Sequence, residues 1–278
     1  FQRVIDRGEL TADVDHVFRA RRTLQPLAQQ AQHLTVGAAA LPTITGAVLI
    51  DGWSQGGFSG TPLIELSGNY AGSGVEGLTL GAGSDGSTVR GLVINRFTGS
   101  GIEINGSGYH TLQGNWIGVD ATGAAAAANV ENGLYATASV GNLIGGATPF
   151  ERNVISGNGY RGIFWVDVDG STIAGNYIGT DAGGSADING NAVVLGQSGV
   201  VLDAGSDGNL IGGTTPTSRN VISGNNHFGV EFQFGSQNNR LEGNFIGTTA
   251  AGLSALGNAS GGVSYWNAGS GNVTGGGV

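Results

Sequence analysis

Three carboxylates sit at comparable places in one repeated phrase: Asp167 in "GIFWVDVDG", Asp203 in "GVVLDAG" and Glu231 in "GVEFQFG". Each phrase alternates apolar and polar residues after a leading Gly, the period of a strand with one buried face. If such strands stack side by side, about 5 Å apart, Asp167 and Asp203 lie on adjacent strands and Glu231 one strand further on. Carboxyl pairs roughly 5 to 9 Å apart are what glycoside hydrolysis uses, one as acid and the other as nucleophile or base. Crowding would raise the pKa of one of them, which a general acid requires.

The neighbours of these carboxylates suit the same chemistry. Counting outward positions strand by strand yields Glu103, Tyr135, Phe164, Val201, Glu231 and Ser264. Two positions on, with a one-residue slip in "FWVDVDG", come Asn105, Thr137, Asp167, Asp203, Gln233 and Trp266. Aromatic rings offer the apolar face of a sugar a surface, and carboxylates and amides meet its hydroxyls. Tyr135, Phe164, Trp165 and Trp266 are the stacking candidates, with Glu103 and Gln233 as polar contacts. Without the slip, Trp165 points inward instead.

The elements that must hold these residues are repeats. "NLIGGATPFERNVISGN" at Asn142 returns as "NLIGGTTPTSRNVISGN" at Asn209, 67 residues later, and "GNWIGVD", "GNYIGTD" and "GNFIGTT" begin at Gly114, Gly175 and Gly243. Three short strand phrases recur in constant order: the "STVRG" type, the "NxI" type and the "GIEIN" type. Gly, Asn, Asp and Ser turns separate them. That pattern predicts one coil of a parallel β-helix per interval, about eight or nine coils in all. "AVLIDG", "PLIELSG" and "GLTLGAG" form one such coil upstream. Stacked coils reuse residues that stack well on themselves, so Asn115, Asn153, Asn176, Asn220 and Asn244 are expected to form an amide ladder. Residues 1–40 do not fit the repeat; Asp13 as N-cap, Val14, Val17 and Phe18 at helical spacing and Pro26 as a stop predict a helical cap on the first coil of a 41–278 β-helix.

Composition removes several classes. There is no Cys, hence no disulfide framework or Cys-ligated metal. All 11 cations are Arg in a chain of net charge −9, so nothing draws nucleic acid, and a lyase with a Lys base is excluded. Arg161 is the one Arg close to the carboxylate face. No apolar run is long enough for a membrane span. The absence of Met implies a processed or excised chain, and "SGNVTGGGV" stops inside the repeat pattern. Asp120 and Asp181 lie in similar turns, but Thr249 replaces them in the third copy, which favours Asx turns over calcium. His16, His33, His110 and His227 share no spacing that makes a metal or Ser-His-Asp site. No cofactor is expected.

On "LPTITGAVLIDGWSQGGFSGTPLIEL", "STVRGLVINRF", "GNYIGTDAGG", "NLIGG" and "RNVISGN", the chain from about Leu41 resembles the right-handed parallel β-helix repeat proteins of bacterial surface and secreted type, those associated with CSLREA segments. The resemblance implies an all-β, right-handed β-helix that is secreted or carried on a bacterial cell surface. It supplies no catalytic motif. Two functions follow as expectations. One is engagement of a polysaccharide or cell-surface glycan on the third-strand face, in its catalytic form glycoside hydrolysis by Asp167, Asp203 and Glu231. The other is a non-catalytic stalk or adhesive module of a larger surface protein.

Overall fold

The repeated phrases become the strands of three parallel sheets in a computed structural model that describes residues 32–188, 190–191 and 197–275. Sheet 1 holds eight strands of the "STVRG" type, from Leu49–Asp51 to Val273–Gly275. Sheet 2 holds eight strands, most of them only two residues long, such as Trp116–Ile117 and Val154–Ile155. Sheet 3 holds seven, from Leu78–Leu80 to Gly261–Trp266. In each sheet a strand pairs with the equivalent strand one coil away, so the chain winds as an all-β, right-handed parallel β-helix. The expected helix at Asp13 lies outside the described residues. Gln32–Thr35, within the segment expected to cap the array, is itself a strand paired with Ile64–Ser67. Among the described residues no helix is long and apolar enough to cross a membrane.

Inward side chains fill the bore. Ile102, Leu134, Ile163 and Val200 form one row on sheet 3, all with no exposed surface. Leu112, Ile144, Ile173 and Ile211 form another on sheet 1. The glycine that opens each sheet 3 strand answers to crowding: a Cβ on Gly133 would stand 2.8 Å from the Gly162 carbonyl and 2.6 Å from Ile155.

The expected amide ladder is present and complete. The side-chain amide of each rung donates to the Oδ1 of the next, at 3.3 Å for Asn115 to Asn153, 3.0 Å to Asn176, 3.1 Å to Asn220 and 2.9 Å to Asn244. A second ladder runs at another corner through Asn129, Asn158, Asn191, Asn225 and Asn258. A third climbs from Ser171 through Asn209 and Asn239 to Asn272. These buried amides satisfy the main-chain groups that the sheets leave open where the chain turns.

The 67-residue period is a two-coil period. One coil carries a long excursion between sheets 2 and 3, closed by the bridges Val119↔Ala126, Thr180↔Asp187 and Thr248↔Ala255; the next lengthens the turn between sheets 1 and 2. Asp120 and Asp181 form the Asx turns of the first two excursions, their Oδ1 atoms accepting from Thr122, Ala124 and Ala125 and from Ser185 and Ala186. Each excursion lies over the aromatic ring of its own sheet 2 strand: Trp116, Tyr177 or Phe245. A Cβ on Gly184, at φ +65, would enter the Tyr177 ring. Successive excursions bond directly, Ala182 N–H to Gly123 O at 2.9 Å and Ala250 N–H to Gly184 O at 2.7 Å. Arg152 and Arg219 lie over the Tyr177 and Phe245 rings at 4.1 and 4.0 Å.

Candidate functional site

Strand register decides which side chains share the outer face of sheet 3. Glu103, Tyr135, Phe164, Val201, Glu231 and Ser264 form one continuous row, as their spacing predicts. In the second row Asn105 pairs with Thr137, Thr137 with Val166 and Val166 with Asp203, while Gln233 pairs with Trp266. Asp167 is therefore not in the row, and the expected Asp167–Asp203 pair does not form. The reason is a corner. Asp167 has φ +57, and Ala138, Ala204, Phe234 and Asn267 take the same left-handed conformation on other coils, where the chain leaves its sheet 3 strand. Asp tolerates that conformation better than Val does.

Trp165 is the second correction. It pairs with Ala136 and Leu202 in an inward row and has no exposed surface, so it offers no stacking face. Ala136 beside it leaves room for the indole.

The outer face presents two aromatic stations. Tyr135 and Phe164 stack at 5.6 Å between centroids and 28° between planes, with the Arg161 guanidinium 4.1 Å above Phe164. Phe234 and Trp266 pair at 5.1 Å, and Trp266 is 60% exposed. Phe234 escapes a count of alternating positions because it occupies the left-handed corner after the strand.

Charged groups lie beside and between the stations. Glu231 is buried; it accepts from the Ser198 hydroxyl at 2.5 Å and has His227 Nδ1 at 3.6 Å. Ser198 in turn accepts from the Phe228 N–H at 3.1 Å. Ser198 and Glu231 both approach the same imidazole nitrogen, and the serine proton goes to the carboxylate. That is not a nucleophile–base relay, which needs the two ring nitrogens to serve different partners. Burial lowers the pKa of Arg161 while Glu231 and Asp203 pull it back up, so the guanidinium stays cationic. Asp203 is half-buried and accepts from the Ala204 N–H at 2.7 Å.

A second carboxylate group, hidden in the sequence, lies at the other end of the face. Glu76 accepts a hydrogen bond from the Ser100 N–H and lies close to Glu103 and Glu131. Burial pushes its pKa up to about 7, against the pull of the Ser100 N–H, and the two neighbouring charges add to the rise. An acid whose folded pKa is raised favours folding fully below its unfolded value, near 4.5, and loses that advantage as pH rises towards 7. Glu76→Gln removes the ionisation penalty. With allowance for solvent screening, it is expected to stabilise the protein by about 1–2 kcal/mol at pH 8 and by nothing at pH 4. Urea unfolding at the two pH values checks this; equal shifts at both would count against a buried, proton-holding Glu76.

Elsewhere, an open cleft of about 390 Å³ on sheet 2 is lined by His33, Glu65, Arg96 and Asp120. Its central carboxylate is already occupied: burial alone would raise the pKa of Glu65, but Asn95, His33 and Arg96, each at 2.8 Å, hold it below the usual range. His110 is buried against Ser107. Among the described residues no three His, Asp or Glu side chains gather as a metal-holding group.

No family model and no curated protein sequence matches the chain. Among solved structures it is similar to the A-module of a mannuronan C-5 epimerase from Azotobacter vinelandii, at 15% identity and a TM-score of 0.41 over 78% of this chain. The match spans 59% of that chain.

Proposed function

We propose that this β-helix binds a polysaccharide along the outer face of sheet 3 and acts outside the cell, secreted or at a bacterial surface. The observation that carries the reading is the pair of aromatic stations bracketing a polar stretch. Phe164 and Phe234 stand two coils apart, about 10 Å along the helix axis, with Asp203 on the coil between them and Glu231 on the coil of Phe234. Rings at that separation suit an extended chain of sugars laid parallel to the axis, and the carboxylates accept from its hydroxyls. Glu103 contributes in the same way beside Tyr135, and Gln233 lies beneath Trp266.

Binding without cleavage is favoured by the state of Glu231. Its carboxylate is buried and tied to Ser198, and Asp167 stands outside the row, so that Val166 and not a carboxylate pairs in register with Asp203. A non-catalytic adhesive module fits this arrangement better than a hydrolase does.

Titration calorimetry against a panel of plant, algal and bacterial oligosaccharides tests the proposal. A ligand is expected whose affinity falls about 30-fold in the Tyr135→Ala, Phe164→Ala double variant, equivalent to ~2 kcal/mol, with circular dichroism unchanged. No binding across the panel, or binding indifferent to these rings, would sink the reading. Following reducing ends in the same mixtures decides on cleavage: release that disappears in Asp203→Asn, Glu231→Gln would make the protein a hydrolase.

A further inference from the structure

The face that carries the aromatic stations also discriminates by charge. Glu103, Glu131, Asp167, Asp203 and Glu231 lie on it or at its margins, and Glu76, which holds its proton up to about pH 7, adds to them only as it ionises. Among the described residues Arg161 is the arginine that stands against them: its guanidinium lies on the Phe164 ring, within the electrostatic reach of Glu231 and Asp203.

The other described arginines are committed on different surfaces. Arg90 is bidentate to Asp51 at 2.8 Å and Arg240 pairs with Glu242, both on sheet 1. Arg96 pairs with Glu65 on sheet 2, and Arg152 and Arg219 cover the sheet 2 rings. The chain contains no Lys that could reach across.

A polyanionic sugar chain laid on this face would bring carboxylates or sulfates within a Debye length, ~8–10 Å, of several fixed carboxylates, with Arg161 as the one cation among the described residues of that face to offset them. Like charges juxtaposed across an interface cost several kcal/mol. Hydroxyl donors meet the opposite situation, since ionised carboxylates are acceptors only.

Resting on the glycan-binding reading above, we infer that the ligand of sheet 3 is a polysaccharide without acid groups, recognised through ring stacking and through hydroxyl donation to Glu103 and Asp203. Uronate and sulfated chains are excluded by repulsion.

The experiment is a matched set of hexasaccharides titrated into the intact protein at pH 7 in 20 mM and 500 mM NaCl. The neutral arm is cellohexaose, laminarihexaose, xylohexaose and mannohexaose; the acidic arm is hexagalacturonate and hexamannuronate. At least one neutral hexamer is expected to bind, with affinity changing less than twofold between the two salt levels, while neither oligouronate binds at low salt. An oligouronate that binds as tightly as the best neutral hexamer, and more weakly at high salt, would overturn the charge argument and leave glycan binding standing. Failure of both arms overturns both, because the four neutral linkages and the two uronates leave the stacking face without any sugar partner.

Discussion

Asn176→Ala is expected to cost the protein about 3–5 kcal/mol of stability, among the largest effects a single truncation can have here. Asn176 is fully buried in the middle of its ladder. Its Oδ1 accepts from the backbone N–H of Asn153 at 3.1 Å and from the Asn153 amide at 3.0 Å. Its own amide donates to the Ile144 and Ala174 carbonyls at 2.8 and 3.0 Å and to Asn220 at 3.1 Å. Truncation leaves donors of Asn153 and the Ile144 carbonyl buried with nothing to meet them, and water has no route to replace the amide. The end rung offers a comparison, because Asn244 is only half-buried. Asn244→Ala should cost about 1–2 kcal/mol, since solvent reaches the groups it abandons. Urea midpoints for the two variants settle the matter: a loss under about 1.5 kcal/mol for Asn176→Ala would mean that the ladder is decoration.

Trp165→Ala should be of similar size, about 3–5 kcal/mol, through the cavity left in a close-packed bore. The indole has no exposed surface and lies in register with Ala136 and Leu202, so neither neighbour can swing in to fill the space. Its Nε1 has no hydrogen-bond partner, which makes the side chain a volume filler and not a polar anchor. Trp165→Phe should then cost about 1–2 kcal/mol, by loss of volume alone, and leave oligosaccharide affinity within twofold. A Trp165→Phe variant that keeps its stability but loses ligand would put the ring back on the outer face.

Those two residues also show what could be read from the chain and what could not. Asn176 was legible because in-register stacking writes its requirement into the sequence once per coil, and five spaced Asn residues are hard to mistake. Asn129 and Asn209 belong to ladders of the same kind, but their partners are scattered through loops of unequal length, so the spacing hides them. The corner at Asp167 was illegible for a different reason. "WVDVDG" alternates in either register, and only the left-handed turn shared with Ala138 and Ala204 shows that Val166, not Asp167, continues the row. Glu76, Glu103 and Glu131 come together across 55 residues of chain, and Ser198, His227 and Glu231 across 33; no local pattern announces either group.

The bonds between excursions, Ala182 to Gly123 and Ala250 to Gly184, skip the coil between them. That intervening coil returns to sheet 3 by a short turn and so leaves a gap for its neighbours' excursions to close across. An array made this way has a quantum of growth. Duplicating one coil would either set two excursions on adjacent coils, where each needs the space of the other, or part a bonded pair by an extra rung. Duplicating two coils preserves every contact. Lengthening or shortening of such an array that keeps its contacts is therefore expected in pairs of coils, the period at which Asn142–Asn158 returns nearly verbatim as Asn209–Asn225.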